Sequence, residues 1–179
     1  KDTKFGFSSH DNTYLKAIKK VIDASHIDFE GIHCHVGSQI EDIQAYVLAM
    51  NKFVDISYEI YDIFGIVINE LNAGGGFGIQ YTKSDKPLQF DEVVTTIMDI
   101  IEKGFAKRGL KRPKVLVEPG RYCVGNAGIT LYTVGSYKTI PDIRDYISVD
   151  GGMTDNIRSS LYQAKYDAII ANKAAMPAD

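Results

Sequence analysis

Hydrophobic positions along the chain alternate between two spacings, and that alternation predicts its elements in turn. Lys4 to Ser8 reads as a short strand-like run. Asp11-Asn12 then offers a helix cap, followed by Tyr14, Ala17, Ile18, Val21 and Ile22 at helical spacing. Phe29 to Val36 returns to strand character and stops at Gly37. Ile43 to Phe64 predicts a long helix with Tyr46, Val47, Met50, Phe53, Val54 and Tyr58 on one side, ended by Gly65. Ile66 to Leu71 is the next strand, broken by Gly74-Gly75-Gly76. Phe90 to Lys107 is a second amphipathic helix carrying Val93, Val94, Ile97, Met98 and Ile101. Lys114 to Val117 is a strand that runs into Glu118-Pro-Gly-Arg121.

Strands that alternate with helices predict an α/β fold with a parallel sheet, because each helix carries the chain back to start the next strand. After Gly128 the pattern changes. Ile129 to Ile140 is rich in Thr, Val and Tyr, and Tyr146 to Val149 follows a turn-like Pro141-Asp142. Strands without helices between them predict a separate antiparallel region. The expected organisation is therefore 1–128 as a β/α part and 129–179 as the start of a β domain.

Composition narrows the class. With 45% hydrophobic and 24% charged residues and a net charge of −3, the 179-residue chain has the balance of a soluble globular protein, not of a disordered or fibrous one. Its apolar runs are far shorter than a membrane span, and no charged leader precedes an apolar core at Lys1, so neither a bilayer segment nor a targeting segment is expected. Two cysteines, Cys34 and Cys123, make no disulfide framework; both are expected as core residues and a reducing cytoplasm as the compartment. The length is generous for one domain, yet short of the roughly 250 residues of a closed (β/α)8 barrel.

The loops at the strand ends carry the candidate chemistry, since parallel α/β folds bind ligands at the carboxyl ends of their strands. These loops read Ser8-Ser9-His10, His35-Val-Gly-Ser38-Gln39, Gly74-Gly75-Gly76 and Glu118-Pro119-Gly120-Arg121. Consecutive glycines let backbone N–H groups approach an oxyanion such as phosphate, and they equally serve a turn that merely needs glycine. Glu118 suits a protonated ring nitrogen and Arg121 a phosphate or carboxylate, although the two can also simply pair with each other. His35 suits ring stacking, proton transfer or a structural hydrogen bond. His33 lies two residues earlier on the same face and raises zinc as an option, but no third ligand accompanies the pair. Lys103, Lys107, Arg108, Lys111, Arg112 and Lys114 form a basic cluster read as a solvated face, because no aromatic base-reading partners accompany it.

Taken together, Gly31-Ile-His-Cys-His-Val-Gly-Ser-Gln39, Asn72-Ala-Gly-Gly-Gly-Phe-Gly78, Glu118-Pro-Gly-Arg121 and Asp150-Gly-Gly-Met-Thr-Asp-Asn-Ile-Arg-Ser-Ser-Leu-Tyr162 resemble, in order, the diaminopimelate decarboxylase family. Those enzymes are fold-type III pyridoxal-phosphate decarboxylases, relatives of alanine racemase with a TIM (β/α)8 barrel and a C-terminal β domain. The opening Lys4-Phe-Gly6 also matches.

The resemblance implies the second half of the cofactor-binding barrel followed by the beginning of the β domain. It implies pyridoxal 5'-phosphate, with His35 stacked on its ring, Ser38 and Gly74, Gly75 and Gly76 at its phosphate, and Glu118 on its pyridine nitrogen. Pro119, Gly120 and Arg121 line the same site, and Arg121, Arg158 and Tyr162 meet the substrate. It further implies decarboxylation of meso-2,6-diaminopimelate to L-lysine by a homodimer with shared active sites, with no nucleic-acid or membrane partner. A related decarboxylase of arginine, ornithine or carboxynorspermidine, or a non-catalytic cofactor-binding homologue, is the alternative. Lys4 and Lys114 stand at strand beginnings, so the family's Schiff-base lysine is expected outside these residues, as is its cross-subunit Cys-Glu-Ser-Gly-Asp segment. A half barrel has open sheet edges, and the chain is not expected to fold stably alone.

Overall fold

The computed structural model describes residues 5–176. The chain divides into two compact units, one comprising the residues up to Ile79 together with Lys86–Cys123, the other comprising Gln80–Asp85 with the residues from Val124 onward.

In the first unit, α1 (Thr13–Ile22), β1 (Gly31–His33), α2 (Gln44–Phe64), β2 (Glu70–Asn72), α3 (Phe90–Lys107) and β3 (Lys114–Leu116) follow one another, and the short α4 (Gly120–Val124) ends the unit with all but its last residue. The strands form a parallel sheet in the order β1-β2-β3, with Gly31 opposite Glu70 and Glu70 opposite Lys114. Gly31 is required there, because a Cβ would lie 1.8 Å from the Glu70 carbonyl oxygen. The ladder is shorter than the apolar runs that predict it. Hydrogen bonds nevertheless continue past its ends: Glu30 O accepts from the Asn69 and Glu70 amides, and Cys34 N donates to Asn72 O.

The predicted first strand is not formed. Phe5 to Ser8 is bend and coil, and Gly6 at φ 72° takes a left-handed conformation that breaks an extended run; Lys4 lies outside the described residues. At the start of α1, Asn12 occupies the cap position but its side chain makes no capping bond; Asp11 Oδ1 instead accepts from Thr13 N at 3.2 Å. Gly65 ends α2 in the left-handed conformation at φ 69°, as its position predicts.

The core lies between the sheet and the helices: Met50 and Ile60 of α2, Leu71 of β2, and Ile97 and Ile101 of α3 are fully buried. The two long helices approach closely at Gly104, where a Cβ would come within 2.7 Å of both Val54 methyls. Tyr58 OH donates to Gly104 O at 2.5 Å, and Arg108 forks onto Asp62 at 2.6 and 2.9 Å while its guanidinium lies 4.8 Å from the Tyr58 ring centre.

In the second unit, β4 (Val134–Ile140) and β5 (Arg144–Val149) pair as an antiparallel hairpin with an irregularity between Val134 and Tyr137. Asp142 turns it at φ 60°, and Asp150 Oδ1 accepts from Thr133 N at 2.7 Å. α5 (Arg158–Tyr162) follows. No described helix is long and apolar enough to cross a membrane.

Candidate active site

The carboxyl ends of the three parallel strands lie along one edge of the sheet, and the loop after β2 is wedged between its neighbours. A Cβ on Gly74 would lie 2.2 Å from Cys34 O, on Gly75 2.2 Å from Glu118 O, and on Gly76 2.2 Å from Gly37 O. Gly74 and Gly76 also have φ of 71° and 92°. Glycine is therefore enforced by backbone against backbone as well as by conformation, and at Gly76 by the Ile40 side chain too. The loop is held by named bonds. Gly74 N donates to Asn72 Oδ1 at 2.8 Å, Gly75 N donates to His35 Nδ1 at 3.3 Å, and the buried Tyr46 hydroxyl donates to Gly75 O at 3.3 Å.

Glu118 follows β3 directly. Its Oε1 accepts from Asn72 Nδ2 at 2.8 Å, and its Oε2 lies 3.6 Å from His33 Nε2. The side chain is 55% exposed, so the carboxylate is both oriented and open to a ligand. His33 and His35, predicted to share a face, thus take different partners, one the carboxylate and the other the glycine loop. Accepting from Gly75 requires an unprotonated Nδ1 on His35, which fixes the neutral ring as the tautomer with its proton on Nε2. Among the described residues no group of three His, Cys, Asp or Glu is arranged to hold a metal.

Arg121 lies on α4, a helix absent from the sequence expectation, half-buried beside an aromatic stack. In that stack Tyr122 lies on Phe90 with ring centres 5.0 Å apart, Phe90 tilts on Phe77 at 4.9 Å, and Phe77 stacks on Tyr46 at 5.6 Å. The stack anchors α4 and the base of the glycine loop to the same core. Ser38 is exposed, and its neighbour Gln39 ties the β1 loop to the β2 loop: Nε2 donates to Ile79 O at 2.6 Å and Oε1 accepts from Ile79 N at 3.2 Å.

Within the second unit, Arg158 sits on α5 among three tyrosines. Its Nε donates to Tyr166 OH at 3.0 Å, and its guanidinium lies 5.9 Å from the ring centres of both Tyr81 and Tyr162. Asn72, His33, Gln39, Tyr81 and Tyr166 are polar contacts that the sequence reading did not assign. For Asn72 a signal was present, since it stands two residues before the first glycine of the run and its amide both donates and accepts.

Two expectations about ordinary residues fare differently. Cys34 packs against the core and burial pushes its thiol up to about 11, whereas Cys123, expected in the core, is exposed on α4. The core reading fails for Cys123 because it rested on a strand-like context, and α4 turns that position outward. Three residues of the basic cluster are ion-paired: Lys103 meets Asp99 at 2.9 Å, Arg108 meets Asp62, and Lys114 meets Glu70 at 3.0 Å.

An open carboxylate, an imidazole on a glycine loop and a glycine turn packed too closely to admit a Cβ, all at the carboxyl edge of a parallel sheet, fit pyridoxal phosphate. They define an α/β protein with a cofactor site at the carboxyl ends of its parallel strands. Residues 1–125 match the pyridoxal binding domain of the pyridoxal-dependent decarboxylases, and the chain belongs to that family. The diaminopimelate decarboxylase of Bacillus subtilis is 48% identical over 172 residues, covering 96% of this chain and 39% of its own. That of Bacillus methanolicus is 43% identical over 178 residues, covering 99% and 41%. The crystal structure of diaminopimelate decarboxylase from M. jannaschii in complex with L-lysine matches with a TM-score of 0.84 at 32% identity, over 93% of this chain and 38% of that one. The chain spans about two fifths of the length of the curated relatives it matches. Its fold is accordingly part of a pyridoxal-phosphate-binding barrel followed by the start of a β domain.

Proposed function

We propose that this chain is a segment of a pyridoxal-phosphate-dependent decarboxylase that converts meso-2,6-diaminopimelate to L-lysine and carbon dioxide, the last step of lysine biosynthesis. The observation that carries the reading is the convergence of Glu118, His35 and the Gly74–Gly76 loop on one sheet edge, in a chain 48% identical to the Bacillus subtilis enzyme. The L-lysine bound by the M. jannaschii enzyme supports the product assignment.

When bound, pyridoxal phosphate supplies an electron sink for the pair of electrons left behind by carbon dioxide. The residues of this chain hold and tune it. The Glu118 carboxylate accepts the pyridine N–H and favours the protonated ring. His35 lies against the ring face. Ser38 and the loop of Gly74, Gly75 and Gly76, whose lack of side chains lets an oxyanion approach the backbone, hold the phosphate, with Pro119 and Gly120 shaping the turn beside it. Arg121 contacts cofactor and substrate, and Arg158 with Tyr162 takes the substrate's distal carboxylate, for which a planar guanidinium is suited. On the parallel strands the lysine is Lys114, paired with Glu70 at the amino edge of the sheet, so the lysine that carries the cofactor belongs to another part of the enzyme. We assign the enzyme to the cytoplasm and to a homodimer with shared active sites.

The test is Glu118→Gln and Glu118→Ala in the full-length enzyme, with cofactor loading followed by absorbance. Decarboxylation of diaminopimelate falls on the order of a hundredfold or more, the loss typical of one preorganised electrostatic partner, while the fold is retained. A rate within about twofold of the unsubstituted enzyme would mean that Glu118 has no role at the ring. Preference for arginine, ornithine or carboxynorspermidine over diaminopimelate would reassign the substrate.

A further inference from the structure

We propose that Asn72 is a positioning residue that aims the Glu118 carboxylate and locks it to the glycine loop. The inference rests on the reading of Glu118 as the partner of the pyridine nitrogen. Asn72 is the last residue of β2, and its carboxamide is used at both ends: Oδ1 accepts from Gly74 N at 2.8 Å and Nδ2 donates to Glu118 Oε1 at 2.8 Å. One planar amide thereby joins the loop that would hold the phosphate to the carboxylate that would hold the ring nitrogen, groups that serve opposite ends of one cofactor. The backbone reinforces the link, because Glu118 N donates to Gly74 O at 2.8 Å and Ala73 N donates to Leu116 O at 2.9 Å.

Charge explains why an amide suits the task. A Lys or Arg at this distance would neutralise Glu118 and compete with a protonated ring for it, whereas Asn orients the carboxylate and leaves its negative charge intact. A carboxylate on a flexible, half-exposed side chain samples several rotamers; a donor at 2.8 Å selects one of them. His33, 3.6 Å from the other oxygen, bounds the same carboxylate from the β1 side without a hydrogen bond at that distance.

Asn72→Asp separates the two functions of the amide in the full-length holoenzyme. Aspartate keeps an oxygen for Gly74 N but loses the donor to Glu118 and puts a like charge beside it. The expected result is a fall in kcat on the order of tenfold or more, the loss typical of one hydrogen bond to a charged group, with KM for diaminopimelate and the affinity for pyridoxal phosphate nearly unchanged. The NMR shift of an isotope-labelled pyridine nitrogen moves toward the unprotonated value in Asn72→Ala, which loses the donor without adding charge, and further in the same direction in Glu118→Gln. Because Asn72 acts through Glu118, the double variant Asn72→Asp/Glu118→Gln is no slower than Glu118→Gln alone. Asn72→Ala, which removes both bonds, lowers kcat and weakens cofactor binding together.

Asn72 variants with unsubstituted kcat and nitrogen shift, beside a crippled Glu118→Gln, would overturn this inference and leave the role of Glu118 standing. Additive losses in the double variant would also overturn it, since Asn72 would then act independently. A Glu118→Gln enzyme with a normal rate and a normal nitrogen shift would remove the reading on which the inference stands.

Discussion

Cys34 and Cys123 carry the same thiol in two different solvents. Cys34 lies against the core behind β1, and burial pushes it up to about 11, so at neutral pH it is protonated and shielded. Cys123 lies exposed on α4. Thiolate fraction and access together set the rate of reaction with an aromatic disulfide. At mildly alkaline pH the full-length protein should therefore show rapid labelling at Cys123 and labelling of Cys34 only after denaturant is added, as peptide mapping of timed samples would reveal. Fast modification of Cys34 in the native protein would contradict its burial. The same attention to single groups explains His35: its tautomer follows from the Gly75 amide it accepts, not from its position in the chain.

At the level of elements, the glycine loop and the helix pair α2–α3 show two kinds of constraint. The loop is steric. Alanine at Gly75 would place its Cβ 2.2 Å from the Glu118 carbonyl oxygen, where rigid backbone stands on the far side. Gly75→Ala should lower stability by about 1–3 kcal/mol through overpacking. It should also weaken cofactor binding, because the displaced backbone is the one that presents Glu118; urea unfolding and a cofactor titration check the two halves.

The helix pair is electrostatic at its rim. The hydrogen bonds from Arg108 hold the Asp62 carboxyl below the usual carboxylate range, so the folded state binds that proton less readily than the unfolded chain does. The stabilisation is present above the unfolded carboxylate value of about 4 and is lost as the pH falls through the lower folded value. Asp62→Asn should be less stable than the unsubstituted protein at neutral pH, and the gap should close in acid and shrink in high salt. Denaturation midpoints at neutral and strongly acidic pH, with and without salt, test this; a gap that widened in acid would reverse the sign. The effect is small, because the Asp62 side chain is 53% exposed.

For the molecule as a whole, burial is distributed unevenly. The first unit holds a core of fully buried side chains on both sides of its helix–sheet interface, whereas in the second Ile129, Leu131, Ile143, Ile147, Leu161 and Ile169 are each more than half exposed. So many exposed large apolar side chains in one unit need cover. The 179 residues produced alone should bind a hydrophobic fluorescent dye strongly and unfold with low cooperativity, while the full-length enzyme should do neither. A sharp, dye-silent unfolding transition of the isolated 179 residues would show that the second unit buries these side chains by itself.

The signals that act over a few residues were legible in the sequence. The apolar faces and Gly65 bound α2 to within a residue of its predicted start, and α3 runs over the predicted residues, because helix periodicity and a left-handed terminal glycine are local. The parallel pairing of the strands, the antiparallel region and the ordered motifs that place the chain among pyridoxal-dependent decarboxylases were likewise written along the chain. Tertiary structure alone decided how short the ladder is, that Gly6 interrupts the first apolar run, that α4 turns Cys123 outward, and which groups hold Glu118. Asn72 and Glu118 are 46 residues apart and meet only because β2 and β3 pair in register; no spacing rule announces a contact that a sheet creates.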